Sequence, residues 1–192
     1  MIVVTHPRSG GTKFCADLAK KHDLIFMGEL NPIYTNDLGT LSWSPKIGHE
    51  MPNSQPVMNL NRFIDFVDNH SNSVQLVNRF GFMIAHKADY ILLRKDFKAT
   101  LLSQLKYVYK SGDKSHDLIV LFLQSVVSES AALMQWCLNH PEKEITWFED
   151  LHPNHEPVVS EQAEGWNDFI TSALDKTPIE NMLKQLWERS HK

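Results

Sequence analysis

Ile2-Val3-Val4-Thr5-His6-Pro7-Arg8-Ser9-Gly10-Gly11-Thr12 opens the chain, and the reading of this stretch decides the fold. Ile2 to Thr5 is a short β-branched run closed by His6-Pro7, the pattern of a buried strand. From Thr12 to His22 the apolar residues Phe14, Leu18 and Ala19 recur at helical spacing, so a helix is expected just after the glycines. A strand, a glycine turn and a helix in that order read as a phosphate loop. Glycines let the backbone turn sharply and bring its N–H groups close to an anion. The following helix aims its unpaired N–H groups and positive dipole end at the same point. Thr12 adds a hydroxyl donor, and Arg8 a fixed charge with forked donors. This is not a Walker A loop, which ends in Gly-Lys-Ser/Thr after a longer spacer; here Lys13 follows Thr12. Metal–triphosphate chemistry thereby loses its main support.

Outward from the loop, strands are expected at Leu24–Met27, Val74–Val77, Tyr90–Leu93 and Ile145–Phe148. Helices are expected at Leu60–Val67, Ala99–Tyr109, Leu118–Leu138 (with Ser115 as its cap), Glu161–Leu174 and Ile179–Glu188. Between Glu29 and about Asn59 the pattern dissolves among Pro32, Pro45, Pro52 and Pro56, the composition of a lid or binding loop. Strands alternating with helices predict an α/β protein: three-layer α/β/α, with a central parallel sheet of about five strands. The length of 192 residues fits a single domain, residues 1–192.

Composition narrows the function classes. Hydrophobic residues make up 42% and charged residues 22%, which excludes global disorder. A net charge of −4 offers no basic excess for nucleic acid or an anionic membrane, so neither partner is expected. Two cysteines cannot build a disulfide framework; Cys15 and Cys137 fall in expected helices and read as buried thiols. The longest clean apolar run, Leu118 to Leu123, is too short to span a bilayer, and no basic n-region precedes Ile2. The expectation is a soluble, cytoplasmic protein without a membrane span. Among ten histidines, His152 and His155 with Glu156 form a cluster, but Pro153 and Pro157 break any ligand spacing, so no metal is expected. Leu133, Met134 and Trp136 read as core, while Tyr34 and Trp43 lie in the long loop.

Placed at the end of the first strand, Pro7-Arg8-Ser9-Gly10-Gly11-Thr12 resembles the 5′-phosphosulfate loop of sulfotransferases that use 3′-phosphoadenosine 5′-phosphosulfate (PAPS). The Arg form is similar to that of tyrosylprotein and some bacterial sulfotransferases, with Gly11 where a threonine is common. Tyr90-Ile91-Leu92-Leu93-Arg94-Lys95-Asp96, followed by Ser103, is similar to the strand-end Arg and helical Ser that grip the 3′-phosphate in that family. The family's spacing of eight residues to Ser103 starts here at Lys95 rather than Arg94. Trp147-Phe148-Glu149-Asp150-Leu151 resembles the family's late Tyr-Glu-Asp-Leu motif, whose carboxylate ties loops together. The three matches occur in the family's order; the Arg-Lys-Gly loop of the animal cytosolic enzymes has no counterpart.

The resemblance implies sulfuryl transfer from PAPS to a hydroxyl or amine on a small molecule, glycan or peptide, with 3′-phosphoadenosine 5′-phosphate (PAP) as product and no metal. It implies that Arg8, Ser9, Gly10, Gly11, Thr12 and Lys13 hold the 5′-phosphosulfate, and that Arg94, Lys95 and Ser103 select the 3′-phosphate. A general base must take the acceptor's proton. Met27-Gly28-Glu29 follows the second expected strand, 21 residues beyond Arg8, where the related enzymes are similar and carry a basic glutamate. Adjacent parallel strands end at one edge of a sheet, where such folds bind ligands. His49, in Gly48-His49-Glu50, is the rival base, and His86 a weaker one. Two other classes stay open: a P-loop-type nucleotide or small-molecule kinase, and a non-catalytic PAP-binding module.

Overall fold

The computed structural model describes residues 1–30, 65, 68–70, 72–110, 115–155 and 165–192. The expected helix at Leu60–Val67 apart from Asp65, nearly all of the proline-punctuated loop and His49 within it fall outside the described residues. The protein is α/β, with a five-stranded parallel sheet flanked by helices, as its alternating pattern predicts. The strands are β1 (Ile2–Thr5), β2 (Ile25–Leu30), β3 (Ser73–Val77), β4 (Tyr90–Leu93) and β5 (Ile145–Trp147), in the order β2-β3-β1-β4-β5. The chain divides into two compact units, one of residues 1–5 and 10–92, the other of residues 6–9 and 93–192.

In the first unit, β1 and β3 are buried along their whole length, including the polar Thr5, Ser73 and Gln75. Val3 pairs with Leu76 on one side and Tyr90 on the other. Helix α1 (Gly11–His22) packs on this sheet, and Cys15, Leu18 and Ala19 join Val3, Val74, Leu76 and Leu92 in one core cluster. Burial, and secondarily the charge of Glu29, pushes the Cys15 thiol up to about 12, so it stays protonated.

Two expectations about β2 are corrected. The strand does not stop at Met27. Gly28 adopts φ 84°, which only glycine takes without strain, and the pairing with β3 shifts between Phe26 and Glu29 before resuming at Glu29↔Leu76. Glu29 therefore sits in the strand rather than after it. Nor is β2 the neighbour of β1, because β3 lies between them. Burial explains the exchange: every residue of β3 is buried, whereas Ile25 of β2 is 72% exposed and suits an edge.

The strand order also sets the directions in which the chain leaves the sheet. From β1 the chain goes to β2 and β3 on one side, whereas from β4 it goes to β5 on the other. The segments leaving β1 and β4 depart in opposite directions, which defines a switch point at the carboxyl ends of these two strands.

The second unit is mostly helical: α2 (Phe97–Lys110), α3 (His116–Asn139), α4 (Phe148–Leu151), α5 (Asn167–Leu174) and α6 (Ile179–Ser190). Ser115 caps α3 as expected, its Oγ accepting the Leu118 N–H at 3.4 Å. By length and composition α3 is apolar enough to cross a membrane, a property that run length alone did not reveal. Here it packs against α6, burying Leu133, Met134 and Cys137 among others. Trp136 is only half-buried, its ring stacked on His140 at the helix end.

The same Trp-x-x-x-His ending recurs on α6. His191 stacks on Trp187, places Nδ1 2.9 Å from the Trp187 carbonyl oxygen and Nε2 3.3 Å from Asp150. The imidazolium form donates to both, so its pKa is raised above the ordinary 6.5, chiefly by the carbonyl contact. Stabilisation from this clasp is full below 6.5 and is lost as pH rises through the folded-state value. The melting temperature of His191→Ala should therefore lie below wild type at pH 5.5 and converge on it by pH 9. A gap that widens with pH would refute the clasp.

Candidate functional site

The loop after β1 takes the form its glycines require. Gly10 has φ 77° and forms the N-cap of α1, and no side chain caps that helix end. A glycine at this position has no side chain with which to cap the first N–H groups of the 12-residue helix. Ser9 is buried and donates its hydroxyl to the His6 carbonyl at 2.6 Å, holding the turn. Arg8 has φ 62°, a left-handed conformation that costs a non-glycine residue on the order of 1 kcal/mol or more. Lys13 is exposed on the first turn of α1.

Gly11 is a packing requirement. A Cβ there would lie 2.8 Å from Leu76 Cδ1 and 3.1 Å from Thr5 Cγ2, and Leu76 is 1% exposed. The threonine common in similar loops would require Leu76 to shift. Gly11→Ala should destabilise the fold by about 1–3 kcal/mol through overpacking. Urea denaturation checks this; an unchanged midpoint would show that Leu76 yields freely.

In the first unit the structure joins two residues from separate motifs. The Thr12 hydroxyl donates to Glu29 Oε1 at 3.1 Å, so the half-buried carboxylate stands at the start of α1. The bulge at Gly28 makes this possible, because it resets the register of Glu29. His86 lies on a short 3₁₀ turn (Ala85–Lys87), three residues before Asp89. The Asp89 carboxylate accepts the Ile2 N–H at 2.7 Å, at the opposite end of β1 from the loop.

In the second unit a larger convergence appears. Arg8 Nε donates to Ser103 Oγ at 3.0 Å, linking the loop after β1 to α2. Arg94 is 5% exposed, with its guanidinium 4.7 Å from the centre of the Phe148 ring. Its Nε is buried and has no hydrogen-bond partner among the described residues. Burial weakens the hold of Arg94 on its proton; Asp96 and Glu149 oppose this, and the nearby charge of Arg8 adds to it. Arg8 is thus hydrogen-bonded to Ser103 and near enough to Arg94 for its charge to act on that guanidinium. Lys95 takes another course, its Nζ lying 4.4 Å from the centre of the Trp187 ring.

The turn carrying Arg94 is held from two directions. Glu149 accepts the Lys95 N–H at 3.0 and 3.1 Å through its two oxygens, and the Asp96 N–H at 3.4 Å. Asp96 in turn accepts the Ala99 N–H at 2.8 Å, opening α2. From the other direction, His6 Nε2 accepts the Arg94 N–H at 2.9 Å. Sequence reasoning had Glu149 as a tie between loops but used His6 only to close a strand. His6, Phe97 and Phe148 become visible as supports only in three dimensions. Glu149→Ala should cost about 1 kcal/mol, below the usual figure for bonds to a charged acceptor because this turn is exposed. Equal denaturation midpoints for variant and wild type would remove Glu149 from that role.

Among the described residues no group of three or more His, Cys, Asp or Glu is placed to hold a metal ion. His152 and His155 set their rings against Phe148. No family model matches the chain, and searches of curated proteins and of solved structures find no match.

Proposed function

We propose that the chain is a sulfotransferase that moves the sulfuryl group of PAPS to a hydroxyl or amine acceptor. The observation that carries this reading is the hydrogen bond from Arg8 to Ser103 beside buried Arg94. Two motifs 95 residues apart, each read separately as a phosphate binder, converge in one cationic cluster. The buried, unpartnered Nε of Arg94 fits an anionic ligand, since a buried guanidinium is costly until matched. Bound PAPS would supply an activated sulfuryl group with PAP as its leaving group.

The residues divide the work as follows. Gly10, Gly11 and Thr12 present the uncapped helix end to a phosphate. Arg8 offers charge to the oxygen that becomes anionic as the bond to sulfur breaks. Arg94 and Ser103 hold a phosphate that adenosine 5′-phosphate lacks. Glu29, oriented by Thr12, takes the proton of the acceptor as it attacks. No step requires a metal, because arginines and a helix end provide the positive charge.

Calorimetry with PAP, adenosine 5′-phosphate, and ATP with magnesium tests the reading. PAP should bind at least about tenfold more tightly than adenosine 5′-phosphate, about 1.4 kcal/mol. Equal affinities would sink the assignment, and preferential binding of ATP with magnesium would favour a kinase.

With labelled PAPS and an acceptor found by screening phenols, sugars and amines, Arg8→Ala should lose about 100-fold or more in turnover. Glu29→Gln should lose about as much while its PAP affinity stays within about twofold. A chain that binds PAP but transfers nothing in that screen would be the non-catalytic module. Abolition of transfer by His49→Asn, with Glu29→Gln active, would move the base to the histidine.

A further inference from the structure

The buried imidazole of His6 has no place in the chemistry above, yet it stands where the ladder between β1 and β4 ends. Thr5↔Leu92 is the last pairing of these strands, after which the chain leaves β1 for the loop. Beyond it the Arg94 N–H is buried, and an unmatched buried N–H is costly. His6 Nε2 supplies the acceptor at 2.9 Å, with a side chain in place of a strand carbonyl. The imidazole is itself 1% exposed and packs edge-on against Phe97, the first residue of α2, so its position is fixed.

We propose that His6 is the positioning residue of the anion cluster: by accepting the Arg94 N–H it orients Arg94 beside Arg8 and Ser103. The proposal rests on the cluster being a phosphate site. It requires a neutral ring with the proton on Nδ1, because only an unprotonated Nε2 can accept. Burial first, then the charge of Arg94, pushes the His6 pKa down to about 3, so the ring stays neutral through ordinary conditions. With Nε2 engaged by the Arg94 N–H and the ring buried, His6 is not assigned the role of general base, although it lies in the loop itself. It acts through Arg94 and not on the reacting atoms.

A substitution series read by calorimetry with PAP tests this. His6→Leu fills the space without an acceptor and should weaken PAP binding by about tenfold or more. His6→Gln carries an oxygen near the Nε2 position and should stay within about threefold. His6→Asn, whose oxygen falls short, should resemble His6→Leu. The deciding measurement is the double variant: in an Arg94→Met background, His6→Leu should add no further loss, since both changes remove one effect.

A folded His6→Leu with wild-type affinity, or additive losses in the double variant, would overturn the proposal. If His6→Leu fails to fold, the order of His6→Gln and His6→Asn decides. Nitrogen NMR of the wild-type ring gives an independent reading: Nδ1–H with no titration near pH 6.5 is expected, and an Nε2–H tautomer would overturn it. Should the wild type bind no PAP, the sulfotransferase reading falls, and the series is repeated with inorganic phosphate. Phosphate affinity that follows the same order would keep the role of His6, whereas binding of neither probe would end both.

Discussion

A buried guanidinium needs its backbone held and its charge matched, and the second unit is organised around that need. Arg94 is nearly solvent-free, and Phe148 lies against its charged group. Its own N–H goes to His6, and the two N–H groups that follow it go to Glu149. Asp96 then opens α2, the helix that carries Ser103 to Arg8. The contact with His6 satisfies a buried N–H at the end of the β-ladder, and those with Glu149 order the exposed turn that follows. Among the described residues the guanidinium Nε has no hydrogen-bond partner, and an anion would satisfy it.

A second constraint operates in the first unit, where close packing governs the loop. Leu76 of β3 occupies the space that a side chain at residue 11 would need. A side chain at the start of the helix would therefore press on Leu76, and glycine avoids that contact. The bulge at Gly28 then turns Glu29 toward Thr12. An edge strand tolerates such an irregularity because one side of its backbone has no ladder to disrupt. The carboxylate thus depends on a local backbone defect as much as on its place in sequence.

The strand order places β3 and β4 on either side of β1, which makes β1 the centre of the sheet, with the chain leaving β1 toward one side and β4 toward the other. Arg8 and Arg94 leave from the carboxyl ends of neighbouring strands. A separation of 86 positions in sequence becomes a shared electrostatic environment.

Much of this was legible from sequence alone. Hydrophobic periodicity places β1, β3, β4 and the long helix α3 within a residue or two, because burial on a regular element imposes its own period on the chain. The strand–glycine–helix order and the capping serine are likewise local, and local chemistry is written locally. Strand adjacency was not legible, since the pattern of β2 does not say that β3 intervenes. The extension of β2 through Gly28 was hidden too, because the same glycine can end a strand or bulge it. The two basic residues after β4 look equivalent in sequence. Tertiary packing separated them, burying Arg94 against Phe148 and sending Lys95 to Trp187. His6 gave no signal as a support, because its role lies in one hydrogen bond to a residue 88 positions away. The sequence by itself determined which elements form and which of their ends carry charge. Only the tertiary structure decided which of those ends meet, because that depends on long-range burial and on buried polar groups finding partners.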